Sequence, residues 1–323
     1  MSALQDAYFR STTTSALNVA VLIPCFNEAA TIAQVVRDFR NSLPTATIYV
    51  YDNNSFDDSA TRAADAGALV RHERHQGKGH VVRRMFADVD ADVYVMVDGD
   101  GTYDAAAAPV AVIELVENQL DFINIARRGT TSETYRPGHQ LGNTVLTWLV
   151  AALFGREFTD MLSGYKLFSR RFVKSFPALS TGFEIETELT IHALELTMPV
   201  SERAASYGQR SPGSMSKLNT FRDGIRVLRA IGRLVQHERP LAFFGIIGAA
   251  LIVLAIGLGI PLLMTFAETG LVPRFPTAIL VVGLMIAGVQ SITAGIILDT
   301  VTRSRREAKR ISYLQIPPVS PST

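Results

Sequence analysis

The stretch that decides the fold is residues 93–104, with the sequence VYVMVDGDGTYD. Its first five residues are apolar or aromatic, and the turn-forming DGDG of residues 98–101 follows at once. A short apolar run that ends in a turn signal predicts a buried strand. Alternate residues of an extended segment point the same way, so Asp98 and Asp100 can present both carboxylates to one ligand. This pair suits Mg²⁺ or Mn²⁺ held mostly by substrate phosphates, and a plain surface Asp-Gly turn is the alternative.

Outward from this strand, apolar runs alternate with helix-like patterns. Strands are predicted at 19–23, 47–51, 68–71, 93–97 and 121–126, and helices at about 29–41, 58–66, 79–88 and 105–118. This alternation predicts a mostly parallel α/β sheet covered on both faces, with ligands beyond the carboxyl ends of its strands. The polar segments expected to meet at that edge are 24–28, 52–55, 98–100 and 127–128.

Length, charge and cysteine content narrow the class of protein. The 323 residues suffice for one large domain with an appendage, and a net charge of +1 gives no reason to expect a nucleic-acid partner. The sole cysteine, Cys25, excludes an intramolecular disulfide framework and is read as a small core filler. Residues 1–18 are polar and lack a signal-peptide pattern, so the catalytic portion is expected to stay in the cytoplasm.

The C-terminal part of the sequence predicts a membrane anchor. Residues 221–235 combine apolar positions at helical spacing with arginines on the flank, which is typical of an interfacial amphipathic helix. Residues 241–264 and 278–298 each reach the roughly 20 apolar residues that a span requires. Basic residues flank both outer ends, which predicts a hairpin with both ends cytoplasmic. Two buried helices of a soluble fold are the alternative.

The predicted organisation has five parts. They are a polar N-terminal tail (1–18), a catalytic domain (19–217), an amphipathic juxtamembrane helix (218–238), two transmembrane helices (239–300) and a basic cytoplasmic tail (301–323). No Asp, Glu, Lys or Arg lies in 241–264 or in 278–298, so the hairpin is expected to be an anchor and not a transport path.

A set of motifs carries a resemblance to a known family. They are IPCFNE, YDNNS, QGKGHVVRR, DGDGTYD, DMLSGYKLF, FEIETEL and RSPGSMSKL. Each is weak alone. In this order and spacing, residues 19–217 resemble a family-2 glycosyltransferase of the GT-A fold, close to the dolichyl- and polyprenyl-phosphate sugar synthases. The resemblance implies a metal-dependent hexosyltransferase with a Rossmann-like, mostly parallel sheet and a Mg²⁺ or Mn²⁺ cofactor.

The resemblance also implies a site for a nucleotide-sugar donor. The residues it assigns to the donor are Pro24, Phe26, Glu28, Asp52, Asn54, Lys78, Arg83, Asp98 and Gly99. Carboxylate and amide groups suit the N–H and hydroxyl edges of a nucleoside, and the glycine-rich turn at 77–79 can expose backbone N–H groups to anions. Asp100 is expected to hold the metal, with Thr102 where several relatives carry Gln. An ordinary first-turn residue is the alternative for Glu28.

Further residues are assigned to catalysis and to the acceptor. Asp98, Asp100, Arg127 and Arg136 are the expected catalytic residues, the two arginines as phosphate ligands. The residues assigned to the acceptor are Asp160, Ser163, Lys166, Glu184, Glu186, Arg210, Ser214, Ser216 and Lys217. The loop RSPGSMSK is read as a clamp on an acceptor phosphate, with a plain linker as the alternative. Glu188 and Arg84 are expected to be solvated charges.

These features lead to one primary hypothesis. It is inverting transfer of a sugar from a UDP- or GDP-linked donor to a polyprenyl phosphate at the cytoplasmic leaflet, by a protein that can form a homo-oligomer. A phosphate monoester, with a second pKa of about 6, is already largely an anion and needs no strong base. A sugar hydroxyl would need one.

Two alternatives stay open at this point. One is transfer to a sugar or glycolipid hydroxyl in cell-wall or polysaccharide synthesis, with Asp160 or Glu184 as the base. The sole tryptophan, Trp148, follows Thr147 and not an arginine, which disfavours the processive synthases with their Q-x-x-R-W motif. The other alternative is a membrane scaffold that binds nucleotide sugars without catalysis.

Overall fold

A computed structural model describes residues 17–129, 158–182, 184–208, 236 and 239–319 of the chain. The chain divides into two compact units. The first comprises Met1–Ile225 together with Lys309–Thr323, and the second comprises Arg226–Ala308. Residues 140–154, whose apolar pattern predicts a further helix, lie outside the described residues. The predicted amphipathic helix also lies outside them, apart from residue 236.

The first unit is built on a seven-stranded sheet. Its strands are β1 Val19–Cys25, β2 Thr47–Asp52, β3 Leu69–His72, β4 Val93–Met96, β5 Phe122–Gly129, β6 Lys166–Ser169 and β7 Val200–Tyr207. They lie in the order β3-β2-β1-β4-β6-β5-β7. Strand β6 runs antiparallel to β4 and β5, while the other neighbouring strands pair in parallel. The mostly parallel sheet predicted from the sequence is therefore confirmed.

Helices connect and flank these strands. In the first unit they are α1 Ile32–Ser42, α2 Ser59–Asp65, α3 Lys78–Asp88, α4 Ala107–Glu117, α5 Arg170–Ser175 and α6 Ile185–Glu195. The buried face of α1 is formed by Ile32, Val35, Val36 and Phe39, the four apolar positions of its helical pattern. Strands β6 and β7 have no counterpart in the sequence prediction. Strand β6 has only four residues, and β7 carries a Glu and an Arg at its centre.

The central strand β4 explains why the polar segments meet at one edge. All four of its residues are buried, as expected for a strand covered on both faces. It pairs in parallel with β1, with Leu22 opposite Met96, and β1 pairs in parallel with β2, with Cys25 opposite Asp52. The carboxyl ends of these strands therefore lie side by side, and Asp98 comes two residues after the end of β4.

The residues after the second apolar helix belong to the first unit. The sequence predicts a separate tail from residue 301, whereas helix α8 runs over Phe275–Leu314 and its last turn packs on the sheet domain. Tyr313 donates a hydrogen bond to Asp121 Oδ2 at 2.7 Å, and Lys309 Nζ lies 2.6 Å from Glu195 Oε2. Val319 joins the apolar core that surrounds β1 and β4. Segment 309–319 is thus a structural part of the first unit.

The second unit contains two long apolar helices, α7 Pro240–Thr269 and the part of α8 up to residue 308. Both are long and apolar enough to cross a membrane. They meet at two glycines, since a Cβ on Gly248 would lie 2.7 Å from the carbonyl oxygen of Gly288. Ser291 Oγ donates a hydrogen bond to the carbonyl of Phe244 at 2.9 Å. Small residues of this kind let helix backbones approach closely.

Replacing Tyr313 by Phe tests the docking of the C-terminal segment. The change removes one donor to Asp121, a fully buried carboxylate, and is expected to lower the free energy of unfolding by about 1–3 kcal/mol. Tyr165→Phe is the matched control, because the buried Tyr165 hydroxyl has no hydrogen-bond partner in the described part of the chain. Thermal unfolding of the full-length protein in detergent measures both. Equal melting temperatures for the two variants would contradict the assignment.

Replacing Gly288 by Leu tests the contact between the two apolar helices. A Cβ at Gly288 would lie 2.7 Å from Ile252 Cγ1 and 2.9 Å from the carbonyl of Gly248, so the helices are expected to separate. Gly283→Leu is the control, because nothing lies within 4 Å of a Cβ built there. The rate of disulfide formation between cysteines placed at Phe244 and Ser291, in a Cys25→Ser background, should fall only for the Gly288 variant.

Candidate active site

Several hydrogen bonds connect the loop that follows β1 with the loop that follows β2. Asn27 N donates to Ser55 Oγ at 2.9 Å, and Phe56 N donates to Asn27 Oδ1 at 2.8 Å. Glu28 N donates to Ser59 Oγ at 2.7 Å. Asn27 has a left-handed backbone, with φ of 52°, which asparagine tolerates better than most residues. These contacts fix the segment that carries Phe26 and Glu28 against the segment that carries Asp52.

Asp52 ends β2 and is almost fully buried. Its Oδ2 accepts a hydrogen bond from Ser55 N at 3.3 Å and lies 3.4 Å from His72 Nδ1. Its Oδ1 is buried and has no hydrogen-bond partner among the described residues. A buried acceptor of this kind can take a hydrogen bond from a water or from a ligand. Asn54 differs, since its amide donates to the carbonyl of Arg74 at 3.0 Å and so shapes the loop.

The Asp-Gly-Asp turn lies at the centre of the site. Thr102 donates to Asp100 Oδ1 twice, from its hydroxyl at 2.6 Å and from its backbone N–H at 3.1 Å. Thr102 therefore orients Asp100, and its hydroxyl proton points at that carboxylate. Among the described residues no three His, Cys, Asp or Glu side chains form a metal cluster. Two carboxylates with hard oxygen atoms still fit a Mg²⁺ or Mn²⁺ whose remaining ligands come from diphosphate and water.

Glu28 and Thr31 hold this turn from the side of β1. Thr31 Oγ1 donates to the carbonyl of Gly99 at 2.7 Å. A Cβ on Gly99 would lie 2.3 Å from Glu28 Oε2, so the Glu28 carboxylate packs directly on the turn. Only glycine at position 99, between Asp98 and Asp100, permits the Glu28 carboxylate to come this close to the turn.

Lys78 links the turn to helix α6. Its ammonium lies 2.5 Å from Asp98 Oδ1 and 2.5 Å from Glu186 Oε1, and its side chain is only 7% exposed. Burial disfavours the charged ammonium, but attraction to the two carboxylates outweighs burial and raises the pKa of Lys78. The net pKa of Asp98 is raised to about 6. Loss of hydration is the largest cause, Lys78 opposes it, and the carboxyls of Glu186 and Asp100 act in the same direction as the loss of hydration. At neutral pH the pair is an ammonium and a carboxylate.

The glycine-rich turn before α3 serves a different purpose from the one expected. Gly79 N donates to the carbonyl of Thr181 at 3.1 Å, and Gly77 N donates to Asn53 Oδ1 at 2.7 Å. A Cβ on Gly79 would lie 2.1 Å from the carbonyl oxygen of Ser180. The glycines therefore admit another protein loop, and these two N–H groups are occupied by protein acceptors and not exposed to an anion.

Glu188 is also an internal contact and not the solvated charge expected from the sequence. It accepts hydrogen bonds from Leu179 N at 3.0 Å and Ser180 N at 2.8 Å. The first turn of α6 is thereby tied to the loop that packs on the glycine turn. Arg84, by contrast, is exposed and pairs with Asp88 four residues later, in agreement with the expectation.

Arg127 and Asp160 form a two-point ion pair. Arg127 Nε lies 2.7 Å from Asp160 Oδ2, and Arg127 Nη2 lies 2.7 Å from Asp160 Oδ1. The guanidinium also lies over the ring of Tyr207, 5.6 Å from its centroid. Burial raises the pKa of Asp160, but the hydrogen bonds and charge of Arg127 outweigh burial and lower that pKa below its usual value. Asp160 is thus a firmly ionised partner of Arg127.

Two other residues of the SGYK segment point inward. Lys166 is fully buried in β6, and its ammonium contacts Asn124 Oδ1 at 2.7 Å and the carbonyl of Met161 at 3.2 Å. Burial lowers the pKa of Lys166 to about 8. Ser163 Oγ donates to the carbonyl of Ile125 at 2.6 Å. Both residues are assigned to the acceptor by resemblance. In this structure Lys166 ties β6 to β5, and Ser163 ties the loop before β6 to β5.

Two residues that the sequence analysis overlooked complete the site. A Cβ on Gly164 would lie 2.0 Å from Asp98 Oδ2, so the backbone of this loop packs on the Asp98 carboxylate. The Tyr103 hydroxyl accepts a hydrogen bond from Gly164 N at 2.7 Å and fixes the loop there. The signal for both was present, since each lies inside a quoted motif, but a motif does not state which atoms its glycine admits.

The structure describes four more of the assigned residues, and five others lie outside the described part of the chain. Pro24 lies within β1, and Phe26 packs edge-on against Phe56 with ring centroids 6.2 Å apart. Arg83 is exposed on α3 beside His80, and Glu184 directly precedes α6. Residues outside the described part of the chain are Arg136, Arg210, Ser214, Ser216 and Lys217.

A mostly parallel α/β sheet with an Asp-x-Asp turn at its carboxyl edge is the architecture of a GT-A glycosyltransferase. The family described as Glycosyl transferase family 2 matches residues 20–176, and the chain belongs to this family. It is 31% identical to glycosyltransferase AglJ of Haloferax volcanii over 92% of this chain and 98% of that protein.

Two further similarities extend the comparison. The chain is 25% identical to a dolichol-phosphate mannosyltransferase of Pyrococcus furiosus, over 82% of this chain and 78% of that protein. The fold matches the crystal structure of glucosyl-3-phosphoglycerate synthase from Mycobacterium tuberculosis, a complex with Mg²⁺ and UDP, with a TM-score of 0.57 and 21% identity. That match covers 72% of this chain and 82% of the synthase.

Replacing Gly164 by Ala tests the contact with Asp98. The new methyl group must displace the Asp98 carboxylate, and a shift of about 1 Å in a catalytic site can cost roughly 100-fold in rate. We expect kcat for sugar transfer to fall by about that factor. Gly208→Ala is the matched control, because the nearest atom to its Cβ is the carbonyl oxygen of Thr102 at an ordinary 3.7 Å. Equal kcat values for the two variants would refute the contact.

Proposed function

We propose that this glycosyltransferase transfers a sugar, with inversion, from a nucleotide diphosphate donor to a polyprenyl phosphate at the cytoplasmic face of a membrane. The observation that carries the proposal is the ion pair between Arg127 and Asp160. It favours an acceptor that arrives already ionised, for the following reason.

A hydroxyl acceptor needs a general base with a pKa near the working pH. Asp160, one of the two candidate bases, has a lowered pKa and both of its oxygen atoms bound by the Arg127 guanidinium. Such a carboxylate is a poor proton acceptor. An acceptor phosphate is itself an anion and attacks without a base, so the pairing that disables Asp160 as a base leaves the phosphate reaction intact.

The same pair suits Arg127 as a phosphate ligand. A guanidinium has five N–H donors in one plane, a geometry that matches the oxygen atoms of a phosphate as well as those of a carboxylate. The bidentate contact and the Tyr207 ring fix the orientation of that plane. Asp160 then acts as a positioning residue for Arg127, since a carboxylate would repel an anionic acceptor.

The donor side of the proposal uses the rim formed by β1, β2 and β4. Asp52 Oδ1 is the candidate acceptor for an N–H or hydroxyl group of the nucleoside. Asp100, oriented by Thr102, would hold Mg²⁺ or Mn²⁺. When bound, the ion would neutralise charge that develops on the leaving diphosphate. Solved structures of glucosyl-3-phosphoglycerate synthase with UDP and Mg²⁺ or Mn²⁺ support a divalent ion in this fold.

The choice of a lipid acceptor rests on two further supports. The Pyrococcus furiosus relative is named a dolichol-phosphate mannosyltransferase, and its similarity extends over 82% of this chain. Helices α7 and α8 have the length and composition of membrane spans, which suits an acceptor that is itself held in a membrane. The proposed topology is a hairpin with both ends cytoplasmic.

A direct assay tests the proposal. Purified full-length protein is incubated with Mg²⁺ or Mn²⁺, a polyprenyl phosphate and a panel of radiolabelled UDP- and GDP-sugars. We expect one donor to yield a chloroform-soluble, mild-acid-labile product, as a sugar phosphate ester requires, and chelation by EDTA to abolish it. A product formed only on sugar hydroxyls would reject the proposed acceptor.

Asp100→Asn provides the matching variant. Loss of one anionic metal ligand is expected to lower kcat by at least about 100-fold, because charge on the leaving diphosphate is no longer compensated. Asp104→Asn is the control, since Asp104 is exposed in the same motif and, among the described residues, its carboxylate accepts a hydrogen bond from a turn N–H, that of Ala106. Unchanged transfer by the Asp100 variant would favour a scaffold without catalysis.

A further inference from the structure

The ion pairs around Lys78 assign a role to Glu186 that its motif does not suggest. We propose that Glu186 is a positioning residue for Asp98, acting through Lys78, and that it does not bind the acceptor. This inference rests on the proposed function for its assay, although it concerns a different half of the site.

The side chains of Lys78, Asp98 and Glu186 are in direct contact. The Lys78 ammonium lies between Asp98 Oδ1 and Glu186 Oε1, 2.5 Å from each. The side chains of Lys78 and Glu186 are 7% and 9% exposed, whereas that of Asp98 is 28% exposed. Asp98 is thus the member of the triad that faces the open site, and Glu186 is the member at the back.

Both oxygen atoms of the Asp98 carboxylate are held by the protein. Its Oδ1 is bound by Lys78, and its Oδ2 packs against the backbone of Gly164. A lysine side chain has four methylene groups and many rotamers, so one partner does not define where its ammonium lies. Glu186 supplies the second anchor, and it thereby fixes the direction from which Lys78 holds Asp98.

Glu186 is itself carried by a helix turn that backbone contacts hold in place. Glu186 lies in the first turn of α6, which Glu188 ties to the backbone of residues 179 and 180. That loop packs on Gly77 and Gly79 on either side of Lys78. Lys78 and Glu186 are therefore carried by elements joined through backbone contacts, and their separation does not depend on flexible side chains alone.

The charge of Glu186 also argues against contact with an acceptor phosphate. An acceptor phosphate at Glu186 would meet a nearly buried carboxylate, and like charges that close repel strongly away from water. The Glu186 carboxylate also already faces the Lys78 ammonium. Both facts place Glu186 with the group that holds Asp98.

A double-mutant cycle tests this inference in the full-length protein. Glu186→Gln keeps the shape of the side chain and removes its charge, so Lys78 loses one anchor and Asp98 shifts. We expect kcat to fall about tenfold while the KM for the acceptor stays within twofold. In a Lys78→Met background, adding Glu186→Gln is expected to change kcat by less than twofold, because the residue it acts through is gone.

Other outcomes overturn the inference. A higher acceptor KM with unchanged kcat would make Glu186 an acceptor ligand. Additive losses in the double mutant would show that Glu186 acts independently of Lys78. Asp65→Asn, an exposed acid-to-amide change in the last turn of α2, is the control and should leave kcat and both KM values unchanged.

The cycle and the proposed function fail in different ways. The cycle is measured with whichever acceptor supports turnover, so a non-additive result on a sugar hydroxyl would reject only the polyprenyl phosphate. Circular dichroism and the melting temperature of each variant are measured alongside, and restoration of kcat by Glu186→Asp in place of Glu186→Gln would confirm that the anchor is the negative charge.

Discussion

The candidate site depends on one buried ammonium, that of Lys78. A buried charge is tolerated only when it is paired, and here it is paired with carboxylates from two different parts of the chain, Asp98 after β4 and Glu186 in α6. Its placement requires glycines at 77 and 79, since their missing side chains admit the loop at 180–181. It also requires the parallel pairing of β1, β2 and β4, which delivers the polar strand ends to one edge.

The other charges of the site are sorted by the same rule. Arg127 is matched with Asp160, and the buried Lys166 is surrounded by the oxygen atoms of Asn124, Met161 and Thr190. Such matching makes each group a defined donor or acceptor and not a mobile ion. It also separates two groups of charges, because Asp98 and Asp100 lie in the turn after β4 while Arg127 in β5 pairs with Asp160. The shared requirement of both halves is fixed geometry before any substrate arrives.

Sequence reasoning reached the sheet because the signals for it are local. An apolar run such as residues 93–97 and a helical pattern such as 29–41 identify buried elements from their own residues, and the rule for parallel sheets then gathers their ends. The roles of Gly164, Glu188 and Lys166 were out of reach, since each is decided by a contact with a segment distant in sequence. Strand β6 is the clearest case. Four residues cannot signal a strand alone, and β6 exists because β4 and β5 pair with it on both sides.

The same distinction applies to the end of the chain. A run of basic residues after an apolar helix predicts a separate, basic cytoplasmic tail, yet segment 309–319 contributes Lys309, Tyr313 and Val319 to the first unit. The apolar helices are therefore an insertion within the catalytic fold and not an appendage at its end. Within the second unit the two apolar helices contact each other at Gly248 and Gly288, since a Cβ on either glycine would meet the backbone of the other helix. Each unit therefore has its own stabilising contact, namely the docking of Tyr313 on Asp121 in the first and the pairing of the two helices in the second.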